Sequence, residues 1–214
     1  METNKIKLST VFTAIAVIIV VEITIQFLIN HNILAHLSAL GLARVTEFFL
    51  LLVIVKVMQQ HFSSIGLAWP NLPTGFKKGL IWSVSFGAAA GIGMLIIHLA
   101  GFKISGLFRM QLPAVSNRLV IFFLVGVLVG PIAEEIFFRG ILYGFFRRWG
   151  VPTAIVLSTL LFVIPHTSGS IIPVAQLLGG VLFAVAYEIE KNLLVPMIIH
   201  CLGNLAIFTL ALIF

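Results

Sequence analysis

Three apolar runs of this sequence carry side chains whose types and spacing could support chemistry. In order along the chain, these are Glu134, Glu135 and Arg139; then Phe162 and His166; then His200 and Asn204. Carboxylates and imidazoles are the side chains that proteins use most often to accept and donate protons. Residues four apart share one face of a helix, so each run would present its polar groups on one side. The pattern predicts an acid–base site where the three faces meet.

The two adjacent glutamates are predicted to have different roles. Glu135 lies four residues before Arg139, a spacing that favours an ion pair on one helix face. Glu134 points about 100° away around the helix axis and has no equally good local partner. An ionised side chain at the centre of a membrane helix costs about 2.5 to 3.5 kcal/mol on insertion scales. Glu134 therefore needs a role beyond charge neutralisation.

The backbone just before Glu134 is predicted to be irregular. Pro131 lacks a backbone N–H, and Gly126 and Gly130 allow close approach by neighbouring groups. Such a break can admit a water molecule to the Glu134 carboxylate. The carboxylate could then take a proton from that water. Imidazole N–H groups and the Asn204 amide could face the negative charge that develops on a carbonyl oxygen. This combination of groups indicates peptide hydrolysis.

The three motifs resemble those of the CAAX protease and bacteriocin-processing intramembrane endopeptidases, which include the type II CAAX prenyl endopeptidases. In this chain the motifs are Glu134-Glu135-x-x-x-Arg139, Phe162-x-x-x-His166 and His200-x-x-x-Asn204. The resemblance covers residues 119–214 as a catalytic core. Residues 1–118 are assigned to N-terminal membrane helices and an interfacial segment, in one integral membrane domain.

The resemblance implies a role for each motif residue. Glu134 and His166 would activate a water molecule, and His200 and Asn204 would stabilise the oxyanion. The residues that would support this geometry are Glu135, Arg139 and Phe162. A Glu134, His166 and His200 set could also bind a divalent metal such as zinc. A metal-free glutamate mechanism uses the same residues, and we favour it, with no cofactor.

The composition requires a membrane. Of 214 residues, 60% are hydrophobic and 9% are charged, and the mean hydropathy is +1.18. An all-α fold follows, because a helix satisfies its own backbone polar groups in hydrocarbon. The predicted bundle has about seven spans, with the catalytic core on the last four; they lie near 8–29, 38–58, 79–100, 119–146, 152–166, 171–188 and 193–213.

Basic residues predict the orientation. Eight lie on one set of helix ends, namely Lys5, Lys7, Lys56, Lys77, Lys78, Arg147, Arg148 and Lys191. Three lie on the other, namely Lys103, Arg109 and Arg118. This asymmetry predicts a cytoplasmic N-terminus in a multi-pass plasma-membrane protein. It also explains the net charge of +6 without nucleic acid as a partner.

Other intramembrane charges are predicted to be structural. Arg44 and Glu47 are three residues apart and are expected to pair. Glu22 could contact Arg44 or border a substrate path. His31, His36, His61 and His98 fall near span ends, where a histidine needs no special role.

The expected function is an intramembrane endopeptidase. Its partners would be the lipid bilayer and peptides or protein termini with a membrane-associated segment, such as CAAX-type proteins, pheromone precursors or bacteriocin precursors. The alternative is a bacteriocin-immunity or scaffold protein that binds a membrane partner without cleaving it, and a proton-coupled transporter is the third choice.

Overall fold

A computed structural model describes residues 6–102, 112–113, 116–167 and 173–213. In these ranges the chain is helical and has no strand, which confirms the all-α prediction. The helices in this part of the chain are α1 (Leu8–Asn30), α2 (His36–Gln59), α3 (Leu72–Leu99), α4 (Arg118–Trp149), α5 (Val151–His166), α6 (Val174–Glu190) and α7 (Leu194–Ala211).

The helices have the length and composition of membrane spans. Five of those described, α1, α2, α3, α4 and α7, are long and apolar enough to cross a bilayer, and α5 is a shorter apolar helix. Their outward faces carry many exposed large apolar side chains, which suits contact with lipid. The chain is therefore an integral membrane protein with several spans.

The start of α3 differs from the prediction. It begins at Leu72 rather than near residue 79, so the helix extends further toward the N-terminus than the predicted span. Pro73 lies in the first turn, where its missing N–H has no intrahelical partner to lose. The predicted interfacial segment, 101–118, lies largely outside the described residues, as do Lys5, Lys103 and Arg109.

Helix α4 is irregular on both sides of the two glutamates. Gly130–Glu135 is α-helical, whereas Leu124–Val129 and Ile136–Tyr143 form wider π-helical turns. Pro131 is at the start of the α-helical part, so the predicted irregularity before Glu134 is confirmed. Widened turns of this kind occur often at functional sites.

Helix α4 is also the centre of the bundle. It packs against α1, α2, α5, α6 and α7, while α3 packs mainly along α7. The core around α4 contains fully buried aromatic side chains, and the Tyr143 ring on α4 meets the Tyr187 ring of α6 edge-on at 5.5 Å. Side chains of α4 are thereby placed within reach of five other helices.

Basic residues gather at one end of the bundle, where they join different helices. The contacts are Lys7 with the Met58 carbonyl, Arg148 with the Ile6 carbonyl, Lys78 with Glu190, and Arg147 with Glu188. The helix ends that the charge count groups together are therefore adjacent in space. Their assignment to the cytoplasm stays a prediction.

Asn192 fixes the connection between α6 and α7 against α3. Its Nδ2 donates to the Asn71 carbonyl at 2.8 Å, and its Oδ1 accepts from the Leu194 N–H at 3.0 Å. The side chain lies directly over Gly75, where an added Cβ would be 2.6 Å from Oδ1. The glycine is needed for this close approach.

We expect Gly75→Ala to lower the free energy of unfolding by about 1 to 3 kcal/mol, because the methyl group would displace Asn192 from two hydrogen bonds. Gly87→Ala on the same helix is the control, since a Cβ there meets nothing within 4 Å. It should be neutral or stabilising by up to about 1 kcal/mol. Thermal unfolding of the two variants in detergent measures the difference; equal melting temperatures would contradict the packing.

Candidate active site

The four residues predicted to be catalytic line one cavity. Glu134 of α4, His166 of α5, and His200 and Asn204 of α7 all border a space of about 590 Å³. Phe162 of α5 lines it as well. The three polar helix faces therefore meet inside the bundle.

Glu135 lies beneath this cavity and connects two helices. Its Oε1 accepts from Arg139 at 3.0 Å, as the spacing predicts, and lies 2.9 Å from Nδ1 of His200. Arg139 also donates to the Gly180 carbonyl of α6 at 3.1 Å. Glu135 and Arg139 are both completely buried. The carboxylate thus holds a site residue as well as its ion-pair partner, a contact that the sequence did not reveal.

Aromatic rings pack against His200 and Arg139. The Phe183 ring of α6 stacks on the His200 ring with centroids 4.6 Å apart and planes inclined by 22°. The Arg139 guanidinium carbon lies 4.5 Å from the Phe162 centroid and 5.2 Å from that of Phe183. Sequence reasoning missed Phe183, because one phenylalanine in an apolar helix gives no signal among the 19 of this chain.

His166 is held by the helix that carries it. Its Nδ1 lies 2.8 Å from the Phe162 carbonyl oxygen, and the two rings pack with centroids 4.8 Å apart. A carbonyl can only accept, so we assign the proton to Nδ1. Nε2 of the neutral ring then carries a lone pair that could accept a proton.

Glu134 has the more open environment of the two glutamates. Its side chain is 21% exposed, against 0% for Glu135, and its Oε2 lies 3.8 Å from Nε2 of His200. That distance is too long for a direct hydrogen bond, but one water molecule can bond to both atoms across it. Glu134 is therefore placed to act on a small molecule in the cavity.

Asn204 is anchored to the irregular part of α4. Its Nδ2 donates to the Gly126 carbonyl at 2.7 Å. A primary amide has two N–H donors and one carbonyl acceptor, so this contact leaves one donor and the acceptor for other partners. The widened turn of α4 and the amide of α7 thus form one wall of the cavity.

The N-terminal helices also contribute to the cavity. Leu40 and Arg44 of α2 and Phe86 of α3 line it, although they precede the predicted catalytic core. Arg44 pairs with Glu47, as predicted, and contacts Glu22 at 2.6 Å, which resolves the two alternatives for Glu22. The sequence indicated this ion-pair cluster but not its place at the cavity.

The described residues do not provide an evident metal site. Among them, no group of three or more His, Cys, Asp or Glu side chains is arranged to hold one metal ion. The Nδ1 atoms of His166 and His200 are bonded to Phe162 and Glu135, so Nε2 is the nitrogen of each ring that is open to another partner.

Comparison with known proteins identifies the C-terminal part of the chain. Residues 116–206 match the family model of type II CAAX prenyl endopeptidase Rce1-like proteins. Residues 116–206, which make up less than half of the chain, are therefore similar to Rce1-like proteins. This segment contains all seven motif residues, and the resemblance drawn from the motifs is confirmed.

A curated relative of this chain is the membrane-embedded CAAX protease MroQ of Staphylococcus aureus (strain USA300). It is 33% identical over 101 residues, which cover 44% of this chain and 40% of MroQ. The chain thus matches about two fifths of the length of that relative. No solved structure matches the chain.

The burial of Glu135 and Arg139 generates a stability prediction. We expect Arg139→Met to lower the free energy of unfolding by about 3 to 5 kcal/mol, because it leaves the Glu135 carboxylate buried without its cation. Glu134→Gln, in the open part of the cavity, should change it by less than about 1 kcal/mol. Thermal unfolding and gel filtration in detergent compare the two; an Arg139→Met protein as stable as the native chain would refute the role of the pair.

Proposed function

We propose that this protein is an intramembrane endopeptidase that hydrolyses peptide bonds of membrane-associated peptides or protein termini. The observation that carries the proposal is the placement of Glu134 opposite Nε2 of His200, at 3.8 Å, in a cavity that His166 and Asn204 also line. The similarity of residues 116–206 to Rce1-like proteins and the similarity of the chain to the CAAX protease MroQ support the same reaction class.

Glu134 is the group that activates water. Its carboxylate takes one proton from a water molecule as the water oxygen attacks the carbonyl carbon of the substrate. Nε2 of His166 orients this water by accepting its other hydrogen, since Nδ1 is bonded to Phe162. When the tetrahedral intermediate collapses, the C–N bond breaks and Glu134 returns its proton to the leaving nitrogen. The sum is one amide and one water converted to one acid and one amine.

His200 and Asn204 stabilise the oxyanion of the intermediate. The free N–H of the Asn204 amide is one donor, and Nε2–H of His200 is the other when the ring is protonated on both nitrogens. Donors fixed before the reaction stabilise developing charge without reorganisation.

The walls of the cavity suit an apolar substrate. Apart from the motif residues, most lining side chains are apolar, and they include Leu40, Phe86, Val125, Ile207 and Phe208. CAAX-type termini and the precursors of pheromones and bacteriocins are therefore the candidate substrates. We place the enzyme in the plasma membrane with a cytoplasmic N-terminus, on the strength of its basic helix ends.

The deciding experiment measures cleavage in liposomes by the native protein and by Glu134→Gln, each with and without a strong chelator. A panel of farnesylated CAAX peptides, pheromone precursors and bacteriocin precursors serves as substrate. We expect Glu134→Gln to lower kcat by at least about 10³-fold, because the amide cannot take the proton from water. Chelator should leave the native rate unchanged.

The outcomes of this experiment separate the alternatives. Loss of activity with chelator, restored by zinc, would replace the metal-free mechanism with a metal-dependent one. Equal cleavage by Glu134→Gln would refute the role of Glu134. A native protein that binds a panel peptide without cutting it would support the immunity or scaffold function instead.

The stacking of Phe183 on His200 generates a second kinetic prediction. Phe183→Leu removes the flat surface that holds the imidazole, and we expect kcat to fall about tenfold through misplacement of the ring. Phe86→Leu is the matched control, because Phe86 lines the cavity from α3 and has no ring contact with His200. It should alter KM rather than kcat. A kcat for Phe183→Leu equal to that of the control would show that stacking is unimportant.

A further inference from the structure

One polar side chain of the cavity is not explained by the motifs or by the ion-pair clusters. The polar lining residues are Arg44, Glu134, His166, Gln176, His200 and Asn204. Glu134 is assigned to the reaction, and Arg44, His166, His200 and Asn204 each bond to a neighbouring group. Gln176 of α6 makes no side-chain hydrogen bond to any other residue that the structure describes.

The side-chain amide of Gln176 can form hydrogen bonds with a polar partner. A primary amide offers two N–H donors and one carbonyl acceptor, the complement of a backbone peptide group. Leaving such an amide unpaired in apolar surroundings costs free energy. The neighbours of Gln176 along the cavity wall, Ala175, Leu178 and Gly179, have no polar side chain to offer it. Among the described residues no side chain pairs with this partly buried amide, which leaves it accessible to a molecule that enters the cavity.

The position of Gln176 on α6 gives its separation along the helix axis from Phe183, which stacks on His200. Gln176, Gly179 and Phe183 are spaced by three and four residues and so share one face of α6, which lines the cavity. Phe183 stacks on His200, and Gln176 is seven residues earlier in the helix. At 1.5 Å per residue, the separation along the axis is about 10 Å. An extended peptide covers that length in about three residues.

Gly179 lies on this wall between Gln176 and Phe183. An added Cβ would lie 3.3 Å from Cζ of Phe183, so the Phe183 ring covers this part of α6. A peptide that runs from His200 toward Gln176 therefore passes along that ring.

We propose that Gln176 binds a backbone peptide group of the substrate about three residues from the scissile bond and so holds that segment in an extended conformation. An extended segment inside the membrane has unpaired N–H and C=O groups, and each needs a partner from the protein. The Gln176 carbonyl accepts from the substrate N–H, and its amide donates to a substrate carbonyl. This recognition is independent of substrate side chains. It rests on the proposed function, since the substrate is the peptide that Glu134 cleaves.

The test combines a protein variant with a change in the substrate backbone. The probe is a panel peptide that the native protein cleaves, together with analogues in which one amide is replaced by an ester, position by position, up to four residues on either side of the scissile bond. The native protein should show a KM about tenfold higher for the ester at one position, about three residues away, because the ester lacks the N–H. Gln176→Met should raise KM for the all-amide peptide about tenfold, with kcat within about twofold.

For Gln176→Met, the ester that raises the KM of the native protein should leave KM unchanged. A residue with a merely structural role would not remove this sensitivity. Gln176→Leu repeats the measurement with a side chain of different shape. Gln26→Met is the matched control, because Gln26 bonds only to Asn30 on the outer part of α1. The same ester sensitivity in native and Gln176→Met proteins, or an unchanged KM, would overturn the proposal.

Binding separates this inference from the proposed function. The affinity for the same peptide is measured with two proteins, Glu134→Gln and the double variant Glu134→Gln with Gln176→Met. These binding measurements do not depend on turnover. About tenfold weaker binding by the double variant supports the role of Gln176 whatever the mechanism of cleavage. Equal binding by the two proteins refutes it even if the native protein proves to be a protease.

Discussion

The Glu135 carboxylate accepts a hydrogen bond from Arg139 on its own helix and binds His200 on α7, with no exposure to solvent. A carboxylate in hydrocarbon is stable only if its partners are fixed, so this contact constrains the distance between α4 and α7. Arg139 extends the constraint to the Gly180 carbonyl of α6. The position of His200, and with it the separation from Glu134, follows from a charge pair that has no part in the reaction.

Much of this arrangement could be predicted from the sequence. Long apolar runs require helices in a membrane, and side chains four residues apart share a helix face, so the helices and the pair of Glu135 with Arg139 follow from local rules. The contact between Glu135 and His200 joins residues far apart in the chain, and no local rule specifies it. Phe183 and Gln176 were missed because α6 carries no motif, and their roles arise only from packing.

The N-terminal helices take part in the site without matching the family model. Residues 116–206 carry every motif residue, yet Leu40, Arg44 and Phe86 complete the cavity from α2 and α3. The predicted catalytic residues and part of the cavity wall thus come from different parts of the chain.

The π-helical turns of α4 accommodate extra residues on both sides of its two glutamates. Each residue of an α-helix turns the chain by about 100°, whereas a π-helical turn contains one residue more for each hydrogen-bonded ring. Removing a single residue within Leu124–Val129 could restore an ordinary helix without breaking the span. Because a π-helical turn takes up one extra residue with little change in the phase of the helix beyond it, Glu134 would keep its direction. The backbone at Gly126, whose carbonyl accepts the Asn204 amide, would change instead. The length of this segment thus determines the backbone that meets α7, separately from the identity of any side chain in it.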